Sequence, residues 1–169
     1  MIISGIGSKT PDWLIFNYGP RCTLVSAASV LQRLGARSNR LLEIIERATG
    51  FKKSGPPARA YIGLKAPLDR GIESAAQAGG IKVLSRTRFL GLRKHIVRNI
   101  NADLPLVLNC YRAPSGCWSH SVICVGYADN GRRLLTLDPN DGKFRWMSWY
   151  RPWTGWVCSI TLVNPISPK

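Results

Sequence analysis

The spacing of the apolar residues changes once along this 169-residue chain, near Leu104, and that change limits the fold more than any other feature. Before it, apolar positions recur every three or four residues. From Cys22 onward Leu24, Val25, Ala28, Leu31 and Leu34 share one face of a predicted helix, with Gly35 as its stop. A second helix is predicted with Ser38 or Asn39 as cap, Leu41, Leu42, Ile44 and Ile45 as its apolar face, and an end before Gly50. Lys52 to Tyr61, with Gly55-Pro56-Pro57 inside it, reads as a basic loop. Leu68 to Ala78 predict a third helix that stops at Gly79-Gly80, and Ile81, Val83 and Leu84 a brief strand. Leu90 to Ile100 predict a basic amphipathic helix that holds His95 at the surface.

After Leu104 the pattern is strand-like: Leu104 to Cys110, Ser119 to Tyr127, Arg133 to Asp138, Lys143 to Trp149 and Trp156 to Val163. Turn chemistry divides them, notably Asp129-Asn130-Gly131 and Pro139-Asn140-Asp141-Gly142. Helices followed by a run of strands imply an α+β fold, with N-terminal helices packed on a C-terminal antiparallel sheet. The length suits one domain over 1–169. Six tryptophans, four of them between Trp146 and Trp156, read as sheet-packing residues.

Cys22 stands directly after Gly19-Pro20-Arg21 and directly before the first helical segment. A thiol attacks as thiolate, and the amides and dipole of a helix start stabilise negative charge there. His120 opens an otherwise apolar strand, so its use depends on a carboxylate within reach. The following strand ends in Asp138. With a two-residue Asn130-Gly131 turn, Asp138 would lie opposite Ile123 and face away from His120. With a three-residue Asp129-Asn130-Gly131 loop, Gly131 left-handed, it lies opposite Val122 and shares a face with His120. The three-residue loop is the prediction. Cys22 as nucleophile, His120 as base and Asp138 as the group orienting the imidazole then form the constellation of covalent acyl transfer, which calls for no metal or cofactor.

These residues resemble papain-like cysteine peptidases, closest to the bacteriocin-leader (double-glycine) peptidase branch. Cys22 with Ser26, Ala28, Val30, Leu31, Leu34 and Gly35 resembles the nucleophile helix, Asp103 to Leu108 the strand before the histidine, and His120-Ser121-Val122 through Tyr127 with Asp138-Pro139 the histidine strand and its aspartate. In that family a Gly-Pro pair follows the nucleophile. Here it precedes Cys22, so a shifted register places Tyr18 at the nucleophile position; the 13 residues from Cys22 to Gly35 favour Cys22. The family's oxyanion glutamine falls on Phe16, which leaves Asn17 as the oxyanion candidate.

The resemblance implies a thiol hydrolase or acyl transferase acting on a peptide or protein amide bond, with peptidase, amidase, deamidase and transferase chemistry all open. The alternative is a degenerate, noncatalytic papain-like module that binds nucleic acid or an acidic protein. A formal net charge of +15 suits an acidic inhibitor or immunity protein and an effector or toxin role. Nucleic acid is compatible with that charge but not favoured, because the cations are scattered and the major nucleic-acid-binding signatures are missing. Met1 to Gly7 does not read as a secretory signal, and no apolar run reaches the length of a membrane span. The expectation is a cytoplasmic site of synthesis, with export by a signal-less route left open.

Overall fold

The computed structural model describes residues 1–7, 9–19, 21–51, 65–111, 119–151 and 155–166. The predicted loop from Lys52 to Tyr61 lies outside them, as do Cys117, Trp118 and Trp153. Four helices are described: α1 (Cys22–Arg33), α2 (Leu41–Thr49), α3 (Lys65–Ala78) and α4 (Leu92–Asn101). The strands are β1 (Val83–Arg88), β2 (Leu106–Tyr111), β3 (Ser119–Ala128), β4 (Arg133–Leu137), β5 (Phe144–Ser148), β6 (Tyr150–Arg151) and β7 (Gly155–Pro165). They form one sheet in the order β1-β7-β2-β3-β4-β5, with β6 paired to β7, and every pairing is antiparallel. The expected α+β architecture is the one observed.

α1 is the centre of the helical layer. Residues Cys22 to Leu31 are all buried, which an apolar stripe alone would not require, so neighbours cover it on every side. It packs on β2, β3 and β7 and against α2 and α3. Small hydroxyl residues let it do this without stranding polar atoms: Ser29 donates to the Val25 carbonyl and accepts from the Ile15 amide. α2 ends as predicted, on Gly50 at φ 67°. Its cap differs from the prediction. Arg40 occupies the cap position, and Ser38 Oγ accepts the Arg40 amide from outside the helix.

β1 is the brief strand predicted from Ile81, Val83 and Leu84, and it runs on to Arg88. It precedes α4 in sequence yet forms the sheet edge beside β7, from Val83 opposite Pro165 to Arg88 opposite Ile160. α3 is tied to it through Asp69, which is buried and accepts from Ser85 Oγ (2.8 Å), the Thr87 amide (3.1 Å) and Thr87 Oγ1 (3.2 Å). Trp146 and Trp149 pack against the core as expected, and the Arg133 guanidinium lies 5.2 Å from the Trp146 ring centroid. His95 on α4 is half-buried, less open than predicted, because its ring lies close to Gly91 at the helix start.

The β3–β4 hairpin corrects the predicted loop and keeps the predicted register. Ala128 pairs with Arg133, so four residues, Asp129 to Arg132, connect the strands instead of three. Asp129, Asn130 and Gly131 all have positive φ, Gly131 at 80°. The extra loop residue is cancelled by a β-bulge: Cys124 pairs with Thr136 and Gly126 with Leu135, which leaves Val125 as the added residue. The freed Val125 carbonyl accepts the Ile3 amide at 2.9 Å, and Ile2 bridges to Gly126. A side chain at 126 would meet the Met1 carbonyl at 3.0 Å, so glycine lets the N-terminal segment approach closely beside the bulge. Beyond the bulge Ile123 faces Leu137, and one step further Asp138 falls opposite Val122.

Candidate active site

α1 begins without a capping side chain. Arg21 holds the cap position, makes no cap hydrogen bond, and is turned to α2 by its pair with Glu46 at 2.8 Å. No acidic residue occupies the first turn either. The first-turn amides therefore lack a side-chain acceptor from the cap residue, at a cost in helix stability of about 1 kcal/mol relative to a good cap. Cys22 is the first residue of the helix and only 5% exposed, whereas the Tyr18 side chain is 83% exposed in the segment before it.

His120 sits at the entry of β3, a third exposed, and its Nε2 lies 2.9 Å from Asp138 Oδ2. The same imidazole interacts with the Cys22 thiol, and with Nε2 held by Asp138 its other nitrogen, Nδ1, is the one left for the sulfur. The second Asp138 oxygen accepts the Asn140 amide at 2.9 Å, and the aspartate's own backbone closes the turn through Asp138 N to Lys143 O and Gly142 N to Asp138 O. The turn is stitched to the N-terminal segment: Asn17 N donates to Pro139 O at 2.9 Å, and Thr10 Oγ1 to Gly142 O at 3.1 Å. The structure thus brings Cys22, His120 and Asp138 together from the start of α1, the start of β3 and the end of β4.

The electrostatics of the three groups are mutually consistent. Burial pushes the Cys22 thiol up, but the His120 hydrogen bond and charge, with the backbone amides of Ser121 and Thr23, bring it below the ordinary 9.0. Burial disfavours the His120 imidazolium, yet the Asp138 and Cys22 contacts prevail and raise it to about 10. Asp138 is pushed up by burial and pulled further down by His120 and the Asn140 amide, so it stays ionised. Arg145 Nη1 lies 3.8 Å from the same Asp138 oxygen and forms a closer pair with Asp141. Cys124, by contrast, is fully enclosed and pushed up to about 12.

Asn17 adjoins this cluster, with both amide hydrogens engaged: Nδ2 donates to Gly19 O at 2.6 Å and to Asn140 Oδ1 at 2.7 Å. Among the described residues its Oδ1 is buried without a partner. Serving an oxyanion from Asn17 would require one of those two bonds to be released.

Sequence reasoning missed the polar residues behind the site. Thr23 Oγ1 and Ser121 Oγ are 2.7 Å apart, Ser121 Oγ donates to Asn109 Oδ1 at 2.8 Å, and Asn109 Nδ2 donates to Ser159 Oγ at 3.0 Å. The available signal was parity: Asn109 and Ser121 interrupt apolar strands at positions directed into the core. A groove of about 640 Å³ runs elsewhere, along α4, lined by Arg93, Lys94, Val97, Arg98 and Asn130, and shares no residue with the cluster.

No family model and no curated protein matches the sequence. Solved structures do match in fold. One is a Bacillus anthracis protein provisionally assigned as a C39-like peptidase, 16% identical, with a TM-score of 0.61 over 96% of this chain and 97% of that one. The chain shares its fold with that C39-like protein.

Proposed function

We propose that this chain, built on a papain-like fold, is a thiol hydrolase or acyl transferase that cleaves or exchanges an amide bond through Cys22, His120 and Asp138. The observation that carries the reading is the 2.9 Å contact of His120 Nε2 with Asp138, on an imidazole that favours ionisation of a thiol at the first residue of α1. In the resting state the sulfur is thiolate and the ring imidazolium. Sγ attacks the substrate carbonyl carbon, and the carbonyl electrons move to oxygen, where first-turn amides of α1 can receive them. His120 then gives its Nδ1 proton to the departing amine nitrogen as the C–N bond breaks, leaving a thioester on Cys22. Water, or a second amine, loses a proton to His120, attacks the thioester and restores the thiolate–imidazolium pair. Asp138 holds the ring orientation throughout and stabilises the imidazolium before acylation and again after the thioester is attacked.

The likeness to a C39-like peptidase makes a peptide the preferred substrate, and the net charge of +15 supports an effector or toxin role with an acidic neutralising partner. Among the described residues no helix is long and apolar enough to cross a membrane.

The test compares wild type with Cys22→Ala for iodoacetamide labelling at neutral pH and for covalent capture by a thiol-reactive acyl probe. Cys22 is expected to label far faster than Cys110 and Cys124, and capture to vanish in the variant. Uniformly slow labelling would favour the noncatalytic binding module instead, and undiminished capture by Cys22→Ala would refute the nucleophile.

A further inference from the structure

The residues that follow Cys22 and His120 in sequence are joined by their side chains. Thr23 and Ser121 begin a chain of hydrogen bonds that runs from α1 through β3 and β2 to β7, by way of Asn109 and Ser159. All four residues are buried, at 9%, 1%, 5% and 1% exposure respectively. We propose that Thr23, Ser121 and Asn109 are positioning residues, whose bonds fix the first turn of α1 against β3 and thereby set the separation and orientation of Cys22 and His120. The inference rests on the reading of Cys22 as nucleophile.

Ser121 has one hydroxyl proton; with Asn109 Oδ1 as its acceptor, the Ser121 oxygen accepts from Thr23. Asn109 has its carbonyl on Ser121 and donates its amide to Ser159. Each donor meets one acceptor, so a slide or rotation of α1 relative to β3 breaks a buried bond. An apolar contact in the same place would tolerate such a slide. Ser26 Oγ, one turn further along α1, reaches the Ser121 carbonyl at 3.4 Å and ties the helix to the same residue again.

Thr23 and Ser121 also act through their backbones. Both backbones favour the Cys22 thiolate, so the pair whose side chains are bonded to each other also bears on the charge of the sulfur. Ser159 stands two bonds further along the chain.

The experiment is the pH dependence of Cys22 alkylation by iodoacetamide, followed by mass spectrometry, with thermal unfolding measured in parallel. Thr23→Val keeps the side-chain shape and removes the donor. It is expected to move the alkylation midpoint up by about one pH unit, which slows labelling at neutral pH about tenfold, while Thr23→Ser restores wild-type behaviour. Ser121→Ala is expected to do the same, and Ser159→Ala to lower thermal stability with little movement of the midpoint. Unchanged midpoints in Thr23→Val would overturn the proposal whatever happens to stability, and this variant decides the matter if Ser121→Ala does not fold. An ordinary thiol midpoint in wild type is a different result: it overturns the nucleophile reading itself, and the positioning role with it.

Discussion

Asp69 and Asp138 are both withdrawn from solvent and both bind residues on strands, yet their partners differ in kind. Asp69 faces Ser85 and Thr87, neutral donors that hold their protons throughout the working pH range, and Thr87 continues the contact to Thr161 Oγ1 at 3.1 Å. Asp138 faces an imidazole, whose other nitrogen faces a thiol. The first arrangement is a tie between α3 and β1. The second is a lever, because a carboxylate beside a titratable ring alters how readily the next group ionises.

The largest expected effect is at the far end of that lever. His120→Ala removes the cation that holds the buried Cys22 thiol below 9.0, so the thiolate fraction near pH 7 falls to about 1% or less. Alkylation of Cys22 is then expected to slow about a hundredfold. Asp69→Ala should leave that rate within about twofold, and a comparable loss there would erase the distinction.

The aspartates themselves sharpen it. Asp138→Asn keeps the shape and removes the charge, so the imidazolium is less favoured and alkylation at neutral pH is expected to fall about tenfold. Asp69→Asn is expected to leave the alkylation profile alone and to cost about 1–3 kcal/mol of stability, read from urea unfolding, since an amide cannot accept all three of the native bonds.

A third separation comes from pH. His120 is raised to about 10, so its share of the pair's stability is present below its ordinary value and is lost as pH rises through about 10. Asp138 is lowered, so its share is present above its ordinary value and is lost as pH falls through its folded value. The stability difference between wild type and Asp138→Asn, followed by urea unfolding, should therefore shrink as pH rises from the ordinary imidazole value to about 10, and close in acid. The difference for Asp69→Asn should show no such shrinkage toward pH 10.

The smallest effect belongs to Arg145, 42% exposed and 3.8 Å from Asp138. Arg145→Gln removes a competing cation, so the His120 pKa should rise by a few tenths of a unit at low salt and the change should shrink as salt is added. Titration of the ring by NMR would check both.

Much of this was legible because periodicity and turn chemistry are local. The start of α1 at Cys22, the stop of α2 at Gly50 and the hairpin strands follow from residues within a few positions of one another, whereas the facing of Asp138 toward His120 is kept by the bulge and not by the predicted loop. What escaped is non-local. β1 joins the sheet through β7, more than 70 residues later. The bulge at Val125 depends on Met1 to Ile3 coming alongside β3. The Thr23–Ser121–Asn109–Ser159 bonds join four elements, and a polar residue in an apolar strand indicates that a partner is needed without saying which. The cap at Arg40 escaped for a local reason, since Ser38 satisfies that amide from one position further out.

The bulge at Val125 also works as a clutch. Length added at the hairpin loop is absorbed before it reaches the end of β4, so the far end of the hairpin and the Asp138 end need not stay in step. The Asp129 to Arg132 loop is therefore a place to insert or graft sequence, with Ile123 still engaging Leu137 and the aspartate still meeting its histidine.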